Sequence, residues 1–343
     1  MDSIDFSPRL RSQHTAIAEI LQVLHETGNE QDGRLEVYAL EEKILSTDFL
    51  VNGDPLDPLA KLRYMDCFDQ IKENMATLVM IAPASSIFEA PDNDCVIVKS
   101  KPLYRRRVSV EHGICKNSAY ATQPSAFCYG SGFFAKKNVI ATAAHVVVGP
   151  GINLEDIRFI RGVYMERPGD FENQMVVHKS QVYRPVLRKA VLPASDYELF
   201  AADSDWALLR VEPAYEDAAP IAAVPHVKIK NKQVATGDPL YAIGHGLGLP
   251  VKVSFDGEVM DSQPSTANFY ESKLTLLGGN SGSPVFCAST HELVGIYMRG
   301  VKKLQLAENG KCLVVKNDRN PYEGQECLRI HGKTNFHNRL KTI

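Results

Sequence analysis

The stretch Gly278-Gly279-Asn280-Ser281-Gly282-Ser283-Pro284 lies between short β-rich runs and decides how the rest of the chain is interpreted. Its glycines allow a sharp turn and leave room for another group to approach the backbone. A serine in such a turn is a candidate nucleophile when nearby backbone N–H groups can stabilise a developing oxyanion. We predict that Gly279 and Ser281 supply these N–H groups. An ordinary turn between two strands is the alternative interpretation.

Two further stretches complete a candidate constellation. The run Asn138-Val-Ile-Ala-Thr-Ala-Ala-His145 delivers a histidine from an apolar segment, which suits a general base that must be held by packing. Asp205 directly precedes an apolar run, where a carboxylate is costly to bury unless it is paired, for example with a histidine. Asp203 is an alternative candidate for the same role, but it is separated from the apolar run by two residues. We therefore predict His145, Asp205 and Ser281 as the catalytic residues. The alternative interpretations are that His145 is an inert core histidine and that Asp205 is an ordinary aspartate at a turn.

From residue 75 onward the chain has the pattern of a β protein. Short runs such as MATLVMIAP, DWALLRV and LVGIYMRG are separated by Gly, Pro and Asp. This pattern predicts many short strands in a barrel or sandwich. The last residues, TNFHNRLKTI, predict a short closing helix. We assign residues 75–343 to one β domain.

Residues 1–74 carry helical signals instead. Ser7-Pro8 can start a helix that Gly28 would end. A second helix can start at Asp57-Pro58, where the apolar residues that follow fall near one face. A third short helix is predicted over residues 34–45, RLEVYALEEKIL. We interpret this region either as a module that binds a regulatory protein or as an extension packed on the β domain.

The three motifs occur in an order that resembles the trypsin-like serine peptidases. TAAH, DWALL and GNSGSP stand where that family usually carries TAAHC, DIALL and GDSGGP, and flanking segments resemble the bacterial branch with HtrA-type and glutamyl endopeptidases. The resemblance covers roughly residues 75–305. It implies a mainly β, double antiparallel β-barrel of the trypsin-like type behind an N-terminal α-helical extension. It also implies a serine endopeptidase that acts on protein or peptide substrates through an acyl-enzyme on Ser281, with no metal or cofactor.

Departures from the family pattern bear on activation and specificity. Asn280 replaces an Asp that, in many animal members, pairs with a freshly cleaved N-terminal amine, so this route of activation is not expected. Thr275 stands where trypsin carries the Asp that selects basic residues, and Tyr297 where glutamyl endopeptidases use a His. With Leu276 and Met298, these residues are expected to form a mostly apolar specificity pocket for a neutral side chain.

Composition excludes several other classes of function. Hydrophobic residues make up 44% and charged residues 23%, and the net charge of -3 gives no electrostatic case for nucleic acid or an anionic membrane. We find no apolar run long enough to span a bilayer and no secretory signal. Seven cysteines, an odd number, favour free thiols in a reducing cytoplasm. The less favoured alternative is a zinc site built from Cys95, His112, Cys115 and Cys128, which lack a CxxC pair.

Other interpretations of the same residues remain. An α/β-hydrolase would present Ser, acid and His in that order and a final glycine where Ser283 stands. A catalytically inactive protease fold could serve as a binding module. His245, in GHGLGLP, is interpreted as a loop histidine outside the catalytic set. The basic triplet Arg105-Arg106-Arg107, in a weakly patterned insertion over residues 84–124, is a candidate site of activating cleavage.

Overall fold

The computed structural model describes sixteen segments of the chain, and the account that follows concerns these residues. They are 36–37, 47–51, 54–55, 68–91, 94–109, 112–118, 120–149, 151–164, 174–191, 205–216, 224–261, 269–300, 304–307, 310–315, 325–330 and 336–343. The helix signals at Ser7-Pro8, Gly28 and Asp57-Pro58 therefore lie outside the described residues. The proposed role of residues 1–74 in partner binding stays a prediction.

A closed, antiparallel barrel of six strands forms the first half of the β domain. In order around the barrel, the strands are β10 (Val139–Thr142), β14 (Ala207–Pro213), β13 (Val182–Val191), β11 (Ile157–Arg161), β4 (Leu78–Pro83) and β9 (Gly130–Lys136). Val79 and Ile81 of β4 face the barrel interior, whereas Met80 and Ala82 pack into a second cluster outside it. Successive side chains alternate in this way along a pleated strand. Burial on both faces explains why β4 is continuously apolar in sequence.

A second ring of six strands follows. Its order is β16 (Lys252–Asp261), β15 (Pro239–Gly244), β18 (Pro284–Cys287), β19 (Leu293–Gly300), β22 (Gln325–Arg329) and β17 (Phe269–Ser272), and β17 pairs again with β16. Leu240 and Ala242 of β15 belong to the core of this barrel, while Tyr241 and Ile243 face the other way. The predicted mainly β, double-barrel architecture is confirmed.

The two barrels share a core that also fixes the surroundings of Asp205. Trp206 is fully buried there and packs edge-on against Phe336, with ring centroids 5.6 Å apart. Phe336 begins helix α2 (Phe336–Thr342), which confirms the predicted closing helix. Because Asp205 immediately precedes Trp206, the packing of this large ring limits where the carboxylate can lie.

Short elements cover the barrels. They are β1 (Glu36–Val37), β2 (Thr47–Val51), β3 (Asp54–Pro55), helix α1 (Phe68–Met75), β5 (Ile87–Glu89), β6 (Cys95–Val98), β7 (Ser100–Pro102), β8 (Pro124–Ala126), β12 (Met175–His178), β20 (Leu304–Leu306) and β21 (Leu313–Val315). Helix α1 crosses the predicted boundary at residue 74, and its Ile71 and Met75 lie in the core between the barrels.

The third helix predicted over residues 34–45 is wrong where the structure describes that segment. Residues Glu36–Val37 pair with β2, which itself runs parallel to β16 of the second barrel. Backbone hydrogen bonds to an exposed sheet edge favour a strand here over the local helical pattern.

Two cysteines far apart in sequence form a disulfide. Cys115 and Cys312 are separated by 197 positions, and their Cα atoms lie 4.9 Å apart. The prediction of free thiols is therefore wrong for this pair, and Cys115 is not available to the zinc site considered above. The two residues meet because the insertion and the β20–β21 hairpin share a small apolar cluster that includes Ile114 and partly buried Leu313. The cytoplasmic assignment, which rested on free thiols, loses that support.

The described part of the chain shows neither a membrane-spanning helix nor a metal-binding cluster. No helix among these residues is long and apolar enough to cross a bilayer. The same residues contain no group of three His, Cys, Asp or Glu side chains placed to hold a metal ion.

Candidate active site

His145 and Asp205 are in direct contact at the edge of the first barrel. His145 lies in the 3-10 turn Ala144–Val146, which follows β10 directly. Its Nδ1 is 2.8 Å from Asp205 Oδ2, and its backbone N–H donates to Asp205 Oδ1 at 3.0 Å. A carboxylate at Nδ1 favours the tautomer with the proton on that atom, which leaves Nε2 as an acceptor. The structure thus brings together two of the predicted residues, whereas Asp203 lies outside the described residues.

Ser281 comes from the second barrel, in the turn before β18. Its Oγ donates to the carbonyl oxygen of Met298 at 3.2 Å. Within the described residues, Ser281 Oγ forms no hydrogen bond with His145. The third predicted residue therefore lies in the same region but is bonded to a different partner. Rotation about one side-chain bond is enough to redirect a serine hydroxyl, and it is a fast motion.

Gly282 brings the serine turn against the end of the strand that carries the histidine. Its φ is +86°, and a Cβ at this position would clash with Thr142 Oγ1 and with the carbonyl oxygen of Ser131. The same Cβ would lie only 2.9 Å from the backbone N of Ala143. Only glycine satisfies both the backbone angle and the close approach. This residue therefore sets how close the two halves of the site can come.

A hydrogen bond from Leu247 sets the orientation of the peptide between Gly278 and Gly279. The carbonyl oxygen of Gly278 accepts a hydrogen bond from the N–H of Leu247 at 2.5 Å. Because the C=O and N–H of a trans peptide point in opposite directions, the N–H of Gly279 points away from Leu247. Among the described residues, neither Gly279 N–H nor Ser281 N–H donates to another group. Both N–H groups are thus available to a bound anion.

Ser131 connects the two barrels beneath this turn. Its backbone N–H donates to the carbonyl oxygen of Ser281, and its Oγ donates to that of Gly279, both at 2.8 Å. Ser131 Oγ also accepts from the backbone N–H of His245 at 2.9 Å. Sequence reasoning missed this residue, because a serine in the run GSGFF has no pattern that marks it. It stabilises the backbone on both sides of the candidate nucleophile.

His245 lies behind the turn. Its side chain is buried, and Nδ1 donates to the carbonyl oxygen of Leu249 at 3.0 Å. Burial lowers its pKa to about 4, so the ring is neutral at physiological pH. A buried ring bonded to backbone has the structural role expected of a loop histidine.

The four residues predicted for the specificity pocket are all buried, and the pocket itself stays a prediction. Thr275 and Leu276 border a small cavity of about 20 Å³ behind the serine turn. Tyr297 lies in the core of the second barrel, where its hydroxyl donates to Gln325 Oε1 at 2.8 Å. Met298 packs between the barrels. Gln325, which sequence reasoning missed, is fully buried, and its Nε2 has no hydrogen-bond partner within the described structure.

Comparison with known families agrees with the geometry. Residues 130–296 match the family described as the trypsin-like peptidase domain. Over these residues the resemblance of the sequence to the trypsin-like serine peptidases is confirmed. No curated protein matches the chain in a sequence comparison.

Two solved structures are among those that match the chain. One is Rv3671c from M. tuberculosis H37Rv in an inactive form, with 12% identity, a TM-score of 0.40, and coverage of 80% of this chain and 90% of that one. The other is a serine endoprotease from Yersinia pestis, with 16% identity, a TM-score of 0.39, and coverage of 80% of this chain and 62% of that one.

Proposed function

We propose that the chain is a serine endopeptidase that cleaves protein substrates through an acyl-enzyme on Ser281. His145 is the general base, and Asp205 orients it. The observation that carries this proposal is the double contact of Asp205 with His145, at Nδ1 and at the backbone N–H. That pair lies beside a serine turn whose N–H groups at Gly279 and Ser281 have no other partner among the described residues.

The proposed reaction has two steps. Ser281 Oγ leaves the carbonyl oxygen of Met298 and turns toward His145 Nε2, which takes its proton as Oγ attacks the scissile carbonyl carbon. The N–H groups of Gly279 and Ser281 hold the resulting oxyanion. The C–N bond then breaks, and the amine leaves with the proton from His145. Water, deprotonated by His145, hydrolyses the ester and returns Ser281 to its hydroxyl form.

A catalytically inactive protease fold that serves as a binding module is the second candidate. The hydrogen bond from Ser281 Oγ to Met298 favours it, because a serine without contact to the histidine is not activated. The two candidates differ in whether Ser281 reacts with an electrophile that mimics an acyl group.

Replacement of the nucleophile tests the proposal directly. We expect wild type to react with a fluorophosphonate probe and to generate new termini in a denatured protein mixture analysed by mass spectrometry. Ser281→Ala should lose labelling, and turnover should fall by about 10⁴–10⁶-fold because only background stabilisation remains. Ser289→Ala, at an exposed serine in a nearby turn, should behave as wild type. A folded wild-type chain that neither reacts nor cleaves would favour the binding module.

A further inference from the structure

The basic triplet predicted as a cleavage site contains one side chain that is held inside the protein. Arg105 and Arg107 are exposed, whereas Arg106 is partly buried. Arg106 Nη1 lies 2.5 Å from both Ser125 Oγ and the carbonyl oxygen of Ala126. Burial lowers the pKa of Arg106, and an arginine placed in such surroundings needs these oxygens to compensate for lost hydration.

The third contact of Arg106 is with a turn next to the candidate active site. Its Nη1 donates to the carbonyl oxygen of Leu247 at 2.8 Å, and Ser125 Oγ donates to the same oxygen at 2.6 Å. Leu247 has a φ of +54°, in the left-handed region that a branched side chain rarely adopts. Such a conformation persists when surrounding contacts hold it in place. Arg106 and Ser125 supply these contacts.

The other side of Leu247 controls the oxyanion-binding peptide. Its N–H donates to the carbonyl oxygen of Gly278, so that the N–H of Gly279 points away from it. Two adjacent glycines allow their shared peptide to flip at little steric cost. A flip would place a carbonyl oxygen where the reaction needs a donor. Leu247 therefore favours the orientation that presents the donor.

We propose that Arg106 is a positioning residue for the N–H of Gly279 and acts through Leu247. The path runs from Arg106 Nη1 to the Leu247 carbonyl, then from the Leu247 N–H to the Gly278 carbonyl. This proposal rests on the proposed function for its effect on turnover, and the interpretation of the triplet as a cleavage site stays a separate prediction. The insertion that carries Arg106 is itself fastened to the β20–β21 hairpin by the Cys115–Cys312 disulfide.

The kinetic test compares two neighbouring arginines. Arg106→Gln should lower kcat by about 10–100-fold, less than complete loss of an oxyanion donor, while KM changes by less than about 3-fold. Arg107→Gln makes the same change of charge at an exposed neighbour and should leave both constants within about 2-fold of wild type. A fall in kcat/KM caused by KM alone, or equal effects of the two variants, would overturn the proposal.

A second readout does not depend on activity. It compares crystal structures of wild type and Arg106→Gln. Wild type should keep the hydrogen bond from the Leu247 N–H to the Gly278 carbonyl. The variant should lose this bond, and its Gly278–Gly279 peptide should be flipped. An unchanged peptide refutes the positioning role. If wild type is inactive but the peptide flips in the variant, the proposed function fails and the positioning role stands.

Ser125→Ala keeps the proposal testable if Arg106→Gln does not fold. It removes the second donor to the Leu247 carbonyl and should lower kcat by a few-fold with little change in KM, in line with weakening one hydrogen bond of a network. Unchanged kcat together with an unchanged Leu247 conformation in this variant would contradict the proposal.

Discussion

Asp205 uses its two carboxylate oxygens for different purposes. Oδ2 faces Nδ1 of the His145 ring, while Oδ1 accepts the backbone N–H of the same residue. The backbone contact fixes the carboxylate plane, and the side-chain contact then fixes the ring. With both in place, Nε2 is the only ring nitrogen left to accept a proton. The orientation of the His145 ring thus depends on a single acidic side chain.

Asp205→Asn tests that dependence while preserving shape. The amide oxygen of the variant can still accept the backbone N–H, which directs the amide NH₂ at Nδ1. The proton of the imidazole then moves to Nε2, where it blocks proton transfer from Ser281. We expect kcat to fall by about 10⁴-fold with the fold intact, measured by steady-state peptide hydrolysis and circular dichroism. Asp156→Asn, at an exposed aspartate, is the control, and near-normal turnover in Asp205→Asn would point to Asp203 instead.

At the scale of elements, the serine turn is shaped by segments from both barrels that are distant from it in sequence. Ser131 of β9 bonds to its backbone, and the turn around Leu247 holds the Gly278 carbonyl. The Leu247 turn is contacted by Arg106 of the insertion and by Ser125 of β8. The Cys115–Cys312 disulfide in turn fastens the insertion to the β20–β21 hairpin. The conformation of the serine turn therefore depends on contacts between elements that are distant in sequence.

The disulfide should contribute substantially to stability. It closes a loop across a sequence separation of 197, and such long loops lose the most conformational entropy when they are cross-linked. We expect the double variant Cys115→Ser/Cys312→Ser to lose about 2–5 kcal/mol of unfolding free energy in urea denaturation. Wild type treated with dithiothreitol should show the same midpoint, and the variant should not respond to the reductant. Identical midpoints for oxidised and reduced wild type would refute the contribution.

Some parts of the fold and of the candidate site could be predicted from the sequence and others could not, for a physical reason. His145, Asp205 and Ser281 lie in local patterns of glycine and apolar residues, and β4 is recognisable from its continuous apolar run. Arg106 acts on backbone atoms of Leu247, which every residue type possesses, so no sequence pattern marks the contact. The strand at Glu36–Val37 was missed for a related reason, since it forms by pairing with a sheet edge built elsewhere.

At the scale of the whole molecule, the site lies between two barrels. His145 and Asp205 come from the first barrel, while Gly279 and Ser281 come from the second. Their relative placement depends on the shared core around Trp206 and on bonds across the junction, such as Ser131 N–H to the Ser281 carbonyl. A change that loosens this junction would therefore alter the placement of Ser281 relative to His145.

Protonation of His245 is expected to destabilise the folded protein at low pH. Its backbone N–H bonds to Ser131, its ring is buried, and desolvation lowers its pKa to about 4, with nearby Lys252 adding repulsion and the Leu249 carbonyl opposing the shift. The unfolded state has a histidine pKa of about 6.5 and binds the extra proton first. The stability that neutral His245 contributes is therefore complete above pH 6.5 and is lost as pH falls toward 4.

The loss should reach about 3 kcal/mol at pH 4, because each pKa unit corresponds to about 1.4 kcal/mol. Urea denaturation at several values between pH 7.5 and pH 4 measures it, with His245→Gln as the variant that cannot titrate. Other acidic groups affect both proteins alike, so the difference between the two curves isolates His245. The buried thiol of neighbouring Cys128, whose pKa burial raises to about 11, stays neutral throughout this range. Parallel curves for the two proteins would show that protonation of His245 does not lower the stability of the fold, whereas convergence below pH 6.5 would show that it does.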